Sequence, residues 1–182
     1  MLGGHGYIAE WGMEQFVRDA RITMIYEGAN GIQALDLVGR KLPRDGGRAV
    51  MAFFGEVGAF AKEHGGDEAM KPFVTPLSNA LGHLQQATTW LMQNAMMKPD
   101  NAGAAATDYM HLFGLVTLGY MWAKMAKVAN DKIAANGASP YLTTKLVTGR
   151  FFMERVLPAT TTHLARIQSG SATIMELAAD AF

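Results

Sequence analysis

From Gly47 onward, apolar residues recur at intervals of three and four, and this periodicity constrains the fold more than any other feature of the sequence. Such spacing gathers apolar side chains on one side of a helix. The first stripe, which ends before His64, consists of Val50, Phe53, Phe54, Val57, Phe60 and Ala61. The second consists of Phe73, Leu77, Ala80, Leu81, Leu84, Thr88, Leu91 and Ala95. Thr75-Pro76 within it fits either an N-cap followed by proline or a kink.

A third helix is predicted from about Ala104 to Ala135, and its middle is apolar on nearly all sides, which is typical of the centre of a bundle. Ser139-Pro140 predicts a restart, and Pro158 a kink in the stripe that follows. A short last helix is expected after Ser169-Gly170, with Thr173 and Glu176 as its capping box. Long helices joined by short breaks predict an all-α fold, an antiparallel bundle of about four to six helices.

The N-terminal segment is less regular than the rest, being rich in glycine and charge. Within it, the β-branched run Arg21 to Tyr26 has no second strand to pair with, so we expect extended or irregular backbone between helices. Proline and Asp-Gly between Leu42 and Gly47 predict a break. We therefore place the domains at residues 1–44 and 45–182.

Composition excludes several classes of function. The 182 residues include 16 basic and 16 acidic side chains, and a neutral balance argues against nucleic-acid binding. The most apolar segment, Met110 to Ala123, is shorter than the roughly 20 residues of a membrane span. The absence of cysteine excludes disulfides and thiolate sites and is compatible with a reducing compartment, so we expect a cytoplasmic location. The five histidines match no metal-binding motif, so no metal site is expected.

Two glycine clusters are the candidate functional feature. One begins at Gly3-Gly4, and the other contains Gly28 and Gly31. Glycine lets the backbone approach a ligand closely, with its amides directed at anionic or carbonyl oxygens. Because an amphipathic run follows the second cluster, Glu27 is predicted just outside a helix N-terminus. The ordinary alternative is a capping carboxylate beside a turn, and the residues alone favour that alternative.

Three motifs in order change this assessment. They are Gly3-Gly4-His5-Gly6-Tyr7, then Glu14 with Arg18-Asp19-Ala20-Arg21, then Ile25-Tyr26-Glu27-Gly28-Ala29-Asn30-Gly31-Ile32-Gln33. Together they closely resemble the acyl-CoA dehydrogenase family. The later helices look like the extra C-terminal domain of its longer members, including those for methylthiopropanoyl-CoA.

The resemblance implies roles for individual residues. Glu27 would be the base that removes the α-proton of an acyl-CoA thioester, and Gly28 would lie against the substrate. The residues implied to contact FAD are Gly3, Gly4, Ala29, Asn30 and Gly31. Ala29 departs from the family, since many relatives have a threonine there that bonds the cofactor. Arg18 and Asp19 would brace the fold by an ion pair.

The resemblance also implies partners and limits. An electron-transferring flavoprotein is the expected electron acceptor, and a homo-oligomer is expected. The chain looks like the C-terminal portion of such an enzyme, so we expect it to bind FAD poorly and not to turn over alone. Two alternatives remain: a non-catalytic helical module for oligomerisation or scaffolding, and a DNA-binding relative, which the neutral charge disfavours.

Overall fold

The computed structural model describes residues 2–25 and 29–181, and every regular element in these two ranges is helical. The chain divides into two compact units, Met1–Gln33 and Ala34–Phe182. An all-α fold was predicted and is confirmed. The predicted domain boundary at residues 44 and 45 stays a prediction.

The first unit begins with two 3-10 turns, Gly3–Tyr7 and Ala9–Trp11, followed by helix α1 (Glu14–Ile25). Helix α1 contains Arg21 to Ile25, so the prediction of extended backbone there was wrong. The helix-propensity penalty of β-branched residues is only a few tenths of a kcal/mol each, so a run of them extends a helix that Glu14 to Ala20 have already begun. Tyr26 lies outside the described residues.

The remaining helices follow in chain order. Helix α2 (Ala29–Asp36) passes into a π-helical turn, Leu37–Lys41, and a second π-helical turn, Phe152–Val156, follows α6. The bundle helices are α3 (Arg48–His64), α4 (Lys71–Asn94), α5 (Pro99–Asn136), α6 (Pro140–Phe151) and α7 (Ala159–Ser169).

Helices α4 and α5 run antiparallel. Asn101 Nδ2 donates to the Asn94 carbonyl at 3.3 Å across their short connection, and further along the pair the hydroxyls of Thr88 and Tyr109 lie 2.8 Å apart. Residue numbers therefore fall along one helix as they rise along the other. Thr88 also donates to the Leu84 carbonyl at 2.8 Å, so the polar groups at this buried contact are paired.

Helices α3 and α7 complete the bundle. Phe53 stacks on Phe113 and Phe60 packs edge-on against Tyr120, so α3 runs parallel to α5. Helix α7 runs antiparallel to α5, because Asp108 pairs with His163 whereas Asn101, earlier in α5, binds Ser171 just beyond α7. The predicted antiparallel bundle is confirmed for the described residues.

Prolines lie in the first turn of α4, α5 and α6. Ser139 Oγ accepts a hydrogen bond from the Leu142 amide at 3.3 Å, which confirms the predicted restart at Ser139-Pro140. Pro76 lies inside α4, so Thr75-Pro76 is not its start; Pro72 occupies the first turn instead. Helix α5 likewise begins at Pro99, five residues before its predicted start.

The predicted last helix after Gly170 is absent from the described residues, which show turns and a 3-10 turn at Ala179–Ala181. Gly170 ends α7 with φ of 67°. The backbone amide and the hydroxyl of Ser171 both donate to Asn101 Oδ1, at 3.0 and 2.9 Å. This anchoring fixes Ser171 against Asn101 near the start of α5, immediately after α7 ends.

Candidate functional site

The glycine turn at the N-terminus has the open backbone that a cofactor contact requires. Gly3 has φ of 52°, in the left-handed region that favours glycine. A Cβ atom built on Gly3 or Gly4 would meet no atom within 4 Å. A planar or anionic group can therefore approach this backbone, and the role of the two residues as cofactor contacts stays a prediction.

Helix α1 carries a row of polar side chains that bind one another. Arg18 Nε forms an ion pair with Glu14 Oε2 at 2.7 Å, and Arg18 Nη2 donates to Gln15 Oε1 at 2.6 Å. Gln15 Nε2 in turn donates to Asp19 Oδ1 at 2.7 Å. Arg18 thus forms its ion pair with Glu14 of the same helix. Asp19 is joined to this row by its hydrogen bond with Gln15. Exposed pairs of this kind contribute up to about 1 kcal/mol.

An open cavity of about 370 Å³ lies between the glycine turn and α1. It is lined by Tyr7, Ala9, Glu14, Val17 and Arg18. The cavity combines an apolar wall with one ion pair and a phenol, so it offers both donors and acceptors to a bound group. Sequence reasoning did not single out Tyr7 or Val17 as lining residues, because nothing in the motif indicates which side of α1 faces the glycine turn.

Glu27 and Gly28, the predicted base and substrate contact, lie outside the described residues. Helix α2 begins immediately after them at Ala29, as the sequence predicted. Ala29, Asn30 and Gly31 are exposed in its first turn, and a Cβ on Gly31 would meet nothing within 4 Å. The predicted cofactor residues of this cluster are therefore accessible, at the helix end that favours anions.

Large apolar side chains of the first unit face outward. Tyr7, Trp11, Phe16, Met24 and Ile25 each expose more than half of their surface, and α1 has no buried residue. Apolar burial in helix α1 is therefore small, although most helical stability in proteins comes from such burial.

In the bundle, a polar cluster joins α5 to α7. His163 Nδ1 lies 2.7 Å from Asp108 Oδ1, and Arg166 Nη1 lies 3.6 Å from the same oxygen. The rings of His111 and His163 stack at 5.6 Å. Sequence reasoning missed this cluster, because Asp108 and His163 are 55 residues apart and only the helix pairing brings them together.

Two tyrosines of α5 have raised pKa values. Burial raises the pKa of Tyr109 to about 12, and the hydrogen bond with Thr88 opposes that shift. Burial also raises the pKa of Tyr120, whose hydroxyl donates to Glu56 Oε1 at 2.9 Å. Both hydroxyls stay protonated at neutral pH, so they act as hydrogen-bonding groups of the bundle.

An apolar cavity of about 290 Å³ lies where α4 ends and α5 begins. Val38 and Gly39 of the π-helical turn Leu37–Lys41 line it together with Met92 and Met96 of the α4 end. No charged side chain lines it, so it offers packing surface and no acidic or basic group.

The described residues contain no group of three or more histidine, cysteine, aspartate or glutamate side chains placed to hold a metal ion. Nor does any helix among them combine the length and apolar content needed to cross a membrane.

Comparison with protein families gives two matches in tandem. The model described as "Acyl-CoA dehydrogenase, C-terminal domain" matches residues 1–42, and "Acetyl-CoA dehydrogenase C-terminal like" matches residues 53–178. Thus one family model matches the segment that contains the three motifs, and a second model matches most of the bundle.

Curated relatives match the same regions. The chain is 34% identical to 3-methylmercaptopropionyl-CoA dehydrogenase of Ruegeria pomeroyi over 91% of its own length and 28% of that protein. It is 30% identical to the broad-specificity linear acyl-CoA dehydrogenase FadE5 of Mycobacterium tuberculosis, over 100% of the chain and 31% of that protein. Over 42 residues, 23% of the chain and 10% of the relative, it is 52% identical to the mitochondrial short-chain specific acyl-CoA dehydrogenase of Rattus norvegicus. The chain spans less than a third of the length of these relatives.

Proposed function

The chain belongs to the acyl-CoA dehydrogenase family, and from this premise we propose that it is the C-terminal portion of an FAD-dependent enzyme that converts an acyl-CoA to an enoyl-CoA. The observation that carries the proposal is the set of three motifs within residues 1–42, the range that the family's C-terminal domain model matches. Glu27 is the proposed base.

The proposed chemistry requires a fixed carboxylate. The α-proton beside a thioester is only weakly acidic, so the base must lie within hydrogen-bond reach and the carbonyl must be polarised by fixed donors. In the sequence Glu27 comes two residues before α2, and by family analogy its backbone amide helps to polarise the thioester oxygen. Gly28, which has no side chain, suits a close approach of the substrate to that amide.

The residues proposed to hold FAD are Gly3, Gly4, Ala29, Asn30 and Gly31. The open backbone at the glycines and the exposed start of α2 support this assignment. When bound, FAD supplies the acceptor for the hydride that leaves the β-carbon. Ala29 has no side-chain hydroxyl, so cofactor contacts in this turn fall to the backbone and to Asn30.

The proposed partners follow from the family. They are an acyl-CoA substrate, an electron-transferring flavoprotein as acceptor and further copies of the same protein; the cytoplasmic location stays a prediction. Because the chain spans less than a third of the length of its relatives, we expect the purified chain to bind no stoichiometric flavin and to oxidise no acyl-CoA in a dye-linked assay. Flavin absorbance with turnover in that preparation would contradict the expectation.

The role of Glu27 is tested in a chimera. Residues 1–42 replace the matching segment of the Rattus norvegicus short-chain enzyme, and Glu27→Gln is compared with Glu10→Gln in the same segment. Glu10 is exposed and lies in a different turn, which makes it a matched control. We expect Glu27→Gln to lower kcat by about 10²–10⁴-fold, the range for a general base, and Glu10→Gln to leave it unchanged. Near-normal turnover of the Glu27→Gln chimera would refute the assignment.

A further inference from the structure

The two most exposed methionines of the described residues are neighbours in the connection between α4 and α5. Met96 is 90% exposed and Met97 is 87% exposed. Met92, one turn earlier in α4, is 43% exposed, whereas Met70 and Met153 are fully buried in the core. A dissolved oxidant therefore reaches the sulfur atoms of the first three methionines and is excluded from those of the last two.

The reaction in question is the two-electron oxidation of a thioether by hydrogen peroxide. A lone pair of the sulfur attacks one oxygen of the peroxide, the O–O bond breaks, and the sulfur keeps that oxygen as a sulfoxide. The second oxygen leaves as water, so the peroxide is reduced as the sulfur is oxidised. A flexible apolar side chain thereby becomes polar and chiral, and methionine sulfoxide reductases reverse the change.

Two of the three accessible methionines line the apolar cavity at the end of α4. Met92 and Met96 are among its lining residues, and Met97 is not. Val38 and Leu42 line the same cavity and are buried. Oxidation of Met92 or Met96 therefore changes a wall of this cavity, whereas oxidation of Met97, which is equally exposed, does not.

A sulfoxide fits poorly at Met92. A Cβ atom built on Gly47 would lie 3.0 Å from Met92 Cε, so the end of this side chain is close to the backbone at Gly47. The side chains that line the cavity are all apolar, and none of them donates a hydrogen bond to a new oxygen. The oxidised side chain must turn toward solvent to be hydrated, which removes its apolar surface from Val38 and Leu42.

We propose that Met92 and Met96 form a reversible oxidation site, and that their sulfoxides weaken the packing of the π-helical turn Leu37–Lys41 against the end of α4. This turn continues directly from α2. The Leu42 amide donates to the Leu37 carbonyl at 2.8 Å, so exchange of the Leu42 amide hydrogen reports whether the turn holds. The inference does not depend on the chemistry of Glu27.

The first measurement is peptide mapping by mass spectrometry after graded exposure of the full chain to hydrogen peroxide. We expect Met96 and Met97 to be oxidised at rates within about twofold of each other, and Met92 more slowly. All three should be oxidised at least about tenfold faster than Met70 and Met153. Oxidation of Met92 and Met96 no faster than that of the two core methionines would overturn the proposal.

The second measurement is hydrogen exchange of the Leu42 amide before and after oxidation. We expect exchange to become at least about tenfold faster in the oxidised chain, and to return to its original rate after treatment with both methionine sulfoxide reductases. Unchanged exchange at Leu42 in a chain that contains the sulfoxides of Met92 and Met96 would overturn the proposal.

Leucine substitutions separate the cavity methionines from the rest. The double variant Met92→Leu/Met96→Leu keeps apolar side chains of similar volume that peroxide does not oxidise, so its exchange at Leu42 should not respond to peroxide. Met97→Leu is the matched control and should respond as the native chain does. Circular dichroism verifies the folding of each variant before oxidation. An equal response in the double variant and the native chain would overturn the proposal.

Discussion

Replacing Tyr109 by phenylalanine tests the buried polar contact at the centre of the bundle. Tyr109 is fully buried and shares a hydrogen bond with Thr88, and burial raises its pKa from the ordinary value of 10 to about 12. Below pH 10 the tyrosine is protonated in both the folded and the unfolded chain, and its contribution to stability is complete. Above pH 10 only the unfolded chain loses the proton, so stability falls as the pH rises toward 12.

The expected loss of stability at high pH follows from the size of the pKa shift of Tyr109. One pKa unit corresponds to about 1.4 kcal/mol, so the native protein should lose about 1.4 kcal/mol by pH 11 and about 2.3 kcal/mol by pH 12 through this group. Tyr109→Phe removes the titrating hydroxyl and with it this pH dependence of stability. At pH 8 it should cost only about 1 kcal/mol, because Thr88 keeps its bond to the Leu84 carbonyl and is not left unpaired.

The assay is urea unfolding followed by circular dichroism at pH 8, 10 and 11. Titration of all other groups is common to both proteins and cancels in the difference between their free energies of unfolding. We expect the advantage of the native protein to shrink to zero or reverse by pH 11. Tyr141→Phe is the control, since Tyr141 is 70% exposed. A difference between native and Tyr109→Phe that stays constant from pH 8 to pH 11 would refute the reasoning.

Two further predictions concern packing in the bundle and are measured by the same unfolding assay. Gly149→Ala should destabilise by about 1–3 kcal/mol, because its Cβ would lie 2.9 Å from Phe73 Cε1 and 3.2 Å from Trp122 Cε3. Gly114→Ala is the control, because a Cβ at this position of α5 would meet nothing within 4 Å. It should stabilise the protein by about 0.5–1 kcal/mol. Equal effects at the two glycines would contradict the close packing described for Gly149. Leu112→Ala should cost about 2–5 kcal/mol, because Leu112 is fully buried, and a loss below about 1 kcal/mol would indicate that the α5 core is misassigned.

Apolar periodicity predicted the bundle helices well, because burial of one stripe stabilises a helix more than local propensity does. It failed where a tertiary contact or an existing helix decides the conformation. The Arg21 to Ile25 run continues α1, and the Thr173 and Glu176 pattern is overridden by the bonds from Ser171 to Asn101.

The outer face of α5 illustrates a second feature that the sequence alone does not predict. Its exposed stripe (Leu118, Met121, Met125 and Val128) and its core stripe are both apolar, and the sequence does not indicate which of two apolar faces other helices cover. The predicted site depended on the order and spacing of short motifs, which local sequence contains. The cluster of Asp108, His111 and His163 depended on helix pairing, which local sequence does not contain.

The central claim is that Glu27 takes the α-proton of a bound acyl-CoA. The most direct measurement is exchange of that hydrogen with solvent deuterium, followed by mass spectrometry of the acyl-CoA recovered from the chimera before oxidation is complete. With Glu27 we expect exchange, and with Glu27→Gln a loss of about 10²–10⁴-fold while acyl-CoA binding persists. Equal exchange rates in the two proteins would contradict the account.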